Sequence, residues 1–286
     1  MSGHETFITQ IYNQILYPAR RATARFRITF HDNLSITYSH YLNMVRKHPY
    51  CMVTKIISHR GRTSNKSPDN TLQSIENAIG FNIDMVEFDV RRTRDGQIVC
   101  FHDAEIEDQP FISLSFSEVT EMNSLIPTLE QVLRSAKGKI QVDVDLKETG
   151  YENEVINIVL DYFEYADFIM KSFNRQVIRR IKEIDSRVYT GLLMGEEWKM
   201  SQFVDVLKES FTGSSVIVDG ADFLSPNYKI FEVGLMTKLS KMQIPIQVWT
   251  VNDENLLRTL LRKDIHSIVT DIPERAMELR ESIQNV

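Results

Sequence analysis

Two short polar groups in the chain each place a histidine beside a charged residue. His59 precedes Arg60 and is separated from the apolar residues 56–57 by Ser58, and His102 precedes Asp103 directly after the run QIVCF. An imidazole exchanges protons near neutral pH, so a histidine at a strand end is a candidate general acid or base. One such histidine is more often structural, whereas a pair beside acidic residues favours catalysis. His266 has no such company and is expected to be structural.

Carboxylates recur at positions where core residues should lie. In the segments VEFDVR and VDVDLK, apolar and charged residues alternate, so each strand has one apolar and one charged face. The charged positions are Glu87, Asp89 and Arg91 in the first segment, and Asp143, Asp145 and Lys147 in the second. Buried carboxylates repel one another and lose hydration unless cations compensate them. The alternative is an antiparallel edge strand whose charged face lies in water.

A hard divalent ion, Mg²⁺ or Ca²⁺, is the simplest compensation for clustered carboxylates, because both ions prefer oxygen ligands. Zinc is less suitable, since histidine is scarce here and cysteine is not clustered. Arg60 and Lys147 add two fixed cations. This inventory suits phosphodiester chemistry, in which cations offset the charge developing on the phosphoryl oxygens while one imidazole takes a proton and the other gives one.

The elements that must position these side chains follow a regular order. From about residue 54, short runs rich in β-branched residues alternate with amphipathic stretches such as TLQSIENAIGF, TLEQVLRSAKG and NDENLLRTLLRKD. The strand patterns are TKIIS, MVEFDVRR, QIVCFH, KIQVDVDLK, DFIMKSF, RVYTGLLM, ADFLSP, PIQVWTV and HSIVTD. This repeat predicts a parallel sheet wrapped by helices, and about 230 residues suit a closed (β/α)₈ barrel better than an open sheet.

Residues 1–53 do not join this order, so we predict an N-terminal extension at 1–53 and a barrel at 54–286. The extension combines a helix pattern, ETFITQIYNQIL, with a basic stretch, ARRATARFR, and an aromatic-rich piece, YSHYLNMV. We expect a helical cap or brace on the barrel. The alternative is an arm that contacts a membrane surface or a partner through its arginines.

Composition narrows the functional class further. The chain has 286 residues, 42% of them hydrophobic, and a net charge of -6, so a large core is expected and a basic nucleic-acid-binding face is not. Cys51 and Cys100 are expected to be buried thiols rather than a disulfide, which favours a reducing compartment. Neither an apolar run of about 18 residues nor a signal peptide is recognisable, and we expect a cytoplasmic protein. The sequence does not indicate an oligomeric state.

As an ensemble, the motifs resemble the glycerophosphodiester phosphodiesterase family. They are HRG, PDNT, EFD, DGQIVCFHD, PTLEQVL, DLK, SF, VWTVN and VTDIP, and they cover residues 54 to about 275 in order. The resemblance implies a TIM barrel and one divalent cation held by Glu87, Asp89 and Asp145. It also implies His59 and His102 as general base and acid, Arg60 and Lys147 as phosphate contacts, and Trp249 as a wall of the substrate pocket. A plain core position is the alternative for Trp249.

The chain departs from the family at three places. It has Asp69 and Asp145 where the family usually or often has glutamate, and it has only residues 104–126 where the family commonly inserts a small subdomain. In addition, DLKETG is similar to a segment of the spider-toxin phospholipases D, and enzymes acting on opine sugar phosphodiesters are further relatives. The alternatives to hydrolysis are therefore a lyase or phosphotransferase that forms a cyclic phosphate or a new ester, and an inactive barrel that serves as a binding module.

Overall fold

The computed structural model of the chain describes residues 53–195, 219–230, 244–263 and 265–284. The strands are β1 (Lys55–Ser58), β2 (Met85–Arg92), β3 (Ile98–Cys100), β4 (Glu105–Ile106), β5 (Gln109–Pro110), β6 (Gln141–Leu146), β7 (Phe168–Ser172), β8 (Thr190–Met194), β9 (Phe223–Pro226), β10 (Gln247–Val248) and β11 (Ser267–Thr270). The helices are α1 (Leu72–Gly80), α2 (Phe116–Met122), α3 (Leu129–Ala136), α4 (Glu152–Leu160), α5 (Arg175–Ile184), α6 (Tyr228–Ile230), α7 (Glu254–Leu261) and α8 (Pro273–Gln284). The N-terminal extension predicted for residues 1–53 lies outside the described residues except for Val53, so its role and its boundary stay predictions.

Eight parallel strands form the barrel, in the order β10, β11, β1, β2, β6, β7, β8, β9. The last strand returns to the first, because parallel bridges join Leu224 to Ile246 and Asn227 to Trp249. Helices follow most strands and cover the outer surface, as the alternating pattern predicts. The structure thus confirms the (β/α)₈ barrel.

The residues that begin several helices are recognisable in the local sequence. Thr71, Ser115 and Thr128 each accept a hydrogen bond from a backbone N–H of the first turn, and in each case the third helical residue bonds back to complete a capping box. Asp253 caps α7 in a simpler way, by accepting a hydrogen bond from the Leu256 N–H at 2.8 Å. The PDNT motif therefore ends on the residue that begins α1.

The barrel contains a buried apolar cluster to which several strands contribute. Ile57, Met85, Ile169, Phe223 and Val269, which come from five different strands, form one buried cluster there. Gly191 leaves the space for the Phe223 ring, since a Cβ added at this position would overlap the ring.

The strand β3 differs from the sequence-based expectation. We expected His102 to end a barrel strand, but β3 pairs antiparallel with β2, with Val90 opposite Cys100, and lies outside the barrel order. The reason is that only a short turn separates the two strands, which suits a hairpin and excludes a parallel crossover. Because β3 runs back along β2, the chain reaches His102 beside Asp89, where the Phe101 N–H donates to the Asp89 carbonyl.

Residues 104–126 form a small lobe between β3 and α3. The lobe contains the β4–β5 hairpin, a 3₁₀ turn and α2, and it has an apolar core of its own, made of Val99, Ile106, Phe111, Leu114, Val119 and Ile126. The ring of Phe101 stacks on Phe111 with a centroid distance of 5.1 Å, which joins the lobe to the segment that carries His102. A structured lobe thus stands where the family commonly has a longer subdomain.

The expectations about buried cysteines and about membrane spans can be compared with the described residues. Cys100 is a free, buried thiol, and burial raises its pKa. Cys51 lies outside the described residues. None of the described helices is both long enough and apolar enough to span a membrane.

Candidate active site

The carboxyl ends of two neighbouring barrel strands bring the acidic residues together. Glu87 and Asp89 lie on β2 and Asp145 lies on β6, which pairs with β2 so that Asp89 stands opposite Asp145. All three side chains are buried, and one oxygen from each lies within 4.8 Å of the others. The alternation of the two strands therefore produces one acidic group at one end of the barrel.

The donor set of this group fits a hard divalent ion. The Asp145 Oδ1 atom is buried and has no hydrogen-bond partner among the described residues. A buried anionic oxygen without a partner is costly, and a cation with oxygen ligands would remove that cost. Glu87, Asp89 and Asp145 are thus the residues that could hold Mg²⁺ or Ca²⁺.

Two cations from the sequence prediction flank these carboxylates. The Lys147 Nζ atom lies 2.7 Å from Asp89 Oδ1 and 2.6 Å from Asp145 Oδ2, and the Arg60 Nε atom lies 3.2 Å from Asp89 Oδ2. Burial opposes the charge of Asp89, but Lys147 and Arg60 outweigh it and hold the pKa of that carboxyl well below its usual range. For Asp145 burial prevails, and its pKa is raised despite Lys147.

The turn after β1 carries His59 and Arg60. Arg60 adopts a left-handed backbone conformation, with φ of 55°, and its N–H donates to Glu87 Oε2 at 3.0 Å. Gly61 follows with φ of 73°, and a Cβ at this position would collide with Ser74 at the start of α1. The HRG motif thus turns the chain tightly enough to bring Arg60 against Glu87 and Asp89.

His59 is held by residues from two distant loops. Its Nδ1 atom lies 2.7 Å from Asp271 Oδ1, directly after β11, and the Asn252 amide donates to Asp271 Oδ2 at 2.6 Å. Burial would raise the pKa of Asp271, but the contacts with His59 and Asn252 and the charge of Arg62 lower it to about 2. With Nδ1 directed at a carboxylate, Nε2 is the nitrogen left for proton transfer.

His102 has a partner next to it in the chain. Its Nδ1 atom lies 2.7 Å from Asp103 Oδ1, and the Arg91 guanidinium donates two hydrogen bonds to the His102 carbonyl, at 3.0 and 2.7 Å. Arg91 in turn forms an ion pair with Glu148. The backbone of His102 is therefore fixed by β2, whereas its ring is more exposed than that of His59.

A second buried charged layer lies below the acidic group. The Lys171 ammonium donates to Asp143 Oδ2 at 2.8 Å and lies 3.6 Å from Glu87 Oε1, while Gln247 donates to the same Asp143 oxygen at 3.0 Å. Ser225 completes the layer by donating to Gln247 Oε1 at 2.7 Å. Burial raises the pKa of Asp143 to about 6, although Lys171 opposes the rise. Asp143 therefore points inward as expected, but it pairs with Lys171 instead of joining Glu87, Asp89 and Asp145.

Trp249 follows β10 on another side of the barrel mouth. Its Nε1 atom donates to the Ser225 carbonyl at 2.7 Å, and its ring meets Phe173 edge-on, at a centroid distance of 5.5 Å and an interplanar angle of 81°. Trp249 is partly buried and also packs against the apolar cluster that contains Phe223. Its predicted role as a pocket wall stays a prediction.

Several residues of the site were missed by sequence reasoning. Asn70 has a left-handed φ of 58° and clamps Asp89, donating to Oδ2 at 2.8 Å and accepting from the Asp89 N–H at 3.1 Å. Asp69 pairs with Arg62 and lies outside the acidic group. Asp271 and Lys171 were missed as well. The motifs PDNT and VTDIP contain three of these four residues, so motif membership was the available signal.

The comparisons with known proteins agree with this geometry. Residues 59–275 match the glycerophosphoryl diester phosphodiesterase family. A glycerophosphodiester phosphodiesterase of Bacillus altitudinis is 26% identical over 258 residues, which span 81% of this chain and 100% of that protein. The corresponding enzyme of Caldanaerobacter subterraneus is 24% identical over 254 residues, which span 80% and 98% of the two chains.

Solved structures show the same fold. A glycerophosphodiester phosphodiesterase from Parabacteroides distasonis superposes with a TM-score of 0.68 at 23% identity, covering 81% of this chain and 98% of the other. A phosphodiesterase from Oleispira antarctica, solved with the product sn-glycerol-3-phosphate, gives a TM-score of 0.67 at 19% identity, covering 80% and 97%. From the match over residues 59–275 it follows that the chain belongs to the glycerophosphoryl diester phosphodiesterase family, a family of phosphoric diester hydrolases.

Proposed function

We propose that the protein hydrolyses a small glycerophosphodiester by metal-dependent, two-histidine acid/base catalysis. The observation that carries this proposal is the buried group of Glu87, Asp89 and Asp145, with ligand oxygens within 4.8 Å of one another. Fixed cations and two histidines surround the group, and this combination suits reaction at an anionic phosphorus centre.

Glu87, Asp89 and Asp145 would hold one divalent cation, Mg²⁺ or Ca²⁺. When bound, the ion supplies positive charge to the phosphoryl oxygens as they become more negative in the transition state. The oxygen-only donor set supports a hard cation and does not choose between these two. Arg60 and Lys147 would bind the remaining phosphoryl oxygens, because their cationic groups already lie against the same carboxylates.

His59 and His102 would move the protons. One imidazole removes a proton from the attacking oxygen, which belongs to water in hydrolysis or to a neighbouring substrate hydroxyl in cyclisation, and the other protonates the leaving alkoxide. Each histidine has its Nδ1 atom on an aspartate, so Nε2 is the nitrogen that would face the substrate, unprotonated in the base and protonated in the acid. Trp249, with Phe173 against it, would form the wall that contacts the alcohol part of the substrate.

The substrate and setting follow from the family and the composition. A product complex of the Oleispira antarctica phosphodiesterase contains sn-glycerol-3-phosphate, and we propose a glycerol phosphate diester as substrate here. A cytoplasmic role in lipid metabolism agrees with the free thiol of Cys100. The proposed membrane-surface contact of the basic arm involves residues outside the described part of the chain.

The test is phosphorus NMR of the purified full chain with glycerophosphocholine, a lysophospholipid and a sugar phosphodiester. Each substrate is supplied with Mg²⁺ or Ca²⁺ and again with EDTA. We expect a phosphomonoester signal that EDTA abolishes. A cyclic phosphate signal would instead identify a lyase, and no product from any substrate would favour the binding-module alternative.

A matched pair of variants links the activity to the acidic group. Glu87→Gln keeps the side-chain size but removes a ligand charge, and we expect loss of turnover together with weaker metal binding in calorimetry. Glu130→Gln makes the same change on the exposed surface of α3 and should leave both quantities unchanged. Full activity of Glu87→Gln would contradict the site assignment.

A further inference from the structure

Arg62 lies between two acidic residues that come from opposite sides of the turn after β1. Its Nε and Nη2 atoms donate to Asp69 Oδ1 and Oδ2 at 2.7 and 2.6 Å, a two-pronged ion pair that fixes the guanidinium plane. Its Nη1 atom lies 3.0 Å from Asp271 Oδ1. The oxygen that Arg62 approaches is the one that His59 Nδ1 contacts at 2.7 Å.

Two positive groups therefore share one carboxylate oxygen. An aspartate beside a histidine favours the protonated imidazole, because the negative charge stabilises the positive one. A guanidinium on the same oxygen opposes that effect, since its own charge is permanent and repels the imidazolium. The charge of Arg62 also contributes to the low pKa of Asp271.

We propose that Arg62 is a positioning residue that shares Asp271 with His59 and so weakens the attraction of Asp271 for the His59 proton. This proposal rests on the proposed function, in which His59 transfers a proton. Asp69 contributes to this arrangement, because its two hydrogen bonds with Arg62 hold the guanidinium close to Asp271. The two acidic residues compete for Arg62, and their balance sets how strongly Asp271 acts on the histidine.

The charged groups around His59 are few in the described structure. The turn itself supplies Arg60 and Arg62, and Arg60 also lies 3.6 Å from Asp69. The neighbouring segments supply acidic groups, and Asn252 supplies a neutral amide. The acidic groups are Asp69 before α1, Asp271 after β11, Glu274 in the first turn of α8, and Glu87 behind the Arg60 N–H. Of these groups, Arg62 is the cation that contacts the carboxylate partner of His59.

Substitutions of Arg62 and of Asp69 should shift the protonation of His59 in opposite directions. Arg62→Gln removes the competing cation, so His59 should hold its proton to a higher pH. Asp69→Asn leaves the charge of Arg62 uncompensated, so His59 should lose its proton at a lower pH. Because Arg62 and Asp69 are partly exposed, we expect shifts of about 0.5 to 1 pH unit in each direction.

The experiment is an NMR titration of the histidine ring protons between about pH 5 and 9, with the divalent ion present. The His59 signal is assigned by its absence from the spectrum of His59→Gln. Arg62→Lys keeps the positive charge and should restore most of the wild-type midpoint. Arg134→Gln, on the exposed face of α3, removes an arginine elsewhere and should leave the midpoint unchanged.

An unchanged or lowered midpoint in Arg62→Gln would overturn the proposal, and so would shifts of the two variants in the same direction. If Arg62→Gln fails to fold, the Arg62→Lys and Asp69→Asn titrations decide the question. The titration needs no turnover, so it separates the two proposals. Wild-type protein that hydrolyses no phosphodiester would refute the proposed function, whereas hydrolysis without these shifts would refute the role of Arg62 alone.

Discussion

The two histidines of the site are paired with aspartates at the same distance but in different ways. His59 and Asp271 are 212 residues apart in the chain, and their side chains are 16% and 24% exposed. His102 and Asp103 are consecutive residues, and their side chains are 37% and 70% exposed. Both Nδ1 to oxygen distances are 2.7 Å.

The difference lies in what else holds each aspartate. Asp271 is fixed by the Asn252 amide at 2.6 Å and by Arg62, whereas Asp103 stands in solvent. An exposed pair of charges is screened by water and salt and is free to rearrange, while a surrounded pair keeps its geometry. Although the two distances are equal, His59 is held more firmly by its surroundings than His102 is. We call the pair of His59 and Asp271 the rigid half of the site.

The largest expected effect comes from removing each imidazole. We expect His59→Ala and His102→Ala each to lower kcat by about 10² to 10⁴, because each ring would transfer one proton in the proposed mechanism. Imidazole added to the buffer should restore more activity to His102→Ala, since its ring site is the more open of the two. The measurement is kcat with and without imidazole.

Circular dichroism of both alanine variants serves as the control for folding. Equal rescue of the two variants would contradict the idea that the two halves differ in openness. Retained activity in either variant would remove that histidine from the proposed acid/base pair.

The aspartates should give the next largest effect. Asp271→Asn removes the partner of the rigid half, and we expect kcat to fall by about 10 to 100-fold, since the preferred tautomer and orientation of His59 are lost. Asp103→Asn should cost less than about 3-fold, because exposed ion pairs contribute little. Steady-state kinetics at low and high salt give kcat for both variants. An equal loss of kcat in the two variants would contradict the difference between the two histidine–aspartate pairs.

The smallest expected effect concerns the third described histidine, which has no carboxylate partner. The ring of His266 stacks on Phe223 with a centroid distance of 5.8 Å, and burial, together with Lys55, lowers its pKa to about 4. The unfolded chain therefore binds more protons here as the pH falls below about 6.5, and the folded state loses stability. We expect a loss of about 1 to 2 kcal/mol between pH 7 and pH 5.

Urea unfolding of wild type and His266→Gln at the two pH values isolates this contribution. Other acidic and basic groups contribute equally to both proteins, so only the difference between the two pH dependences counts. The same pH dependence in both proteins would show that His266 does not titrate on unfolding in this range.

The sequence predicted much of the acidic group because local pattern carried the information. Alternation in VEFDVR and VDVDLK placed Glu87, Asp89 and Asp145 on inward faces, and the parallel pairing of β2 with β6 brings those faces together. Alternation gives the face of a residue but not its depth or its partner. For that reason Asp143 could not be distinguished from Asp145, although Asp143 pairs with Lys171 one level lower.

By itself, the sequence determined the alternation of strands and helices, the helix starts, the tight turn at Gly61 and the contact between His102 and Asp103, all of which depend on residues near one another in the chain. Tertiary structure alone decided the layer of Lys171 and Gln247 and the contact of His59 with Asp271. The physical reason is that closure of the barrel joins its first and last strands. Pairings created by that closure have no signature in local sequence.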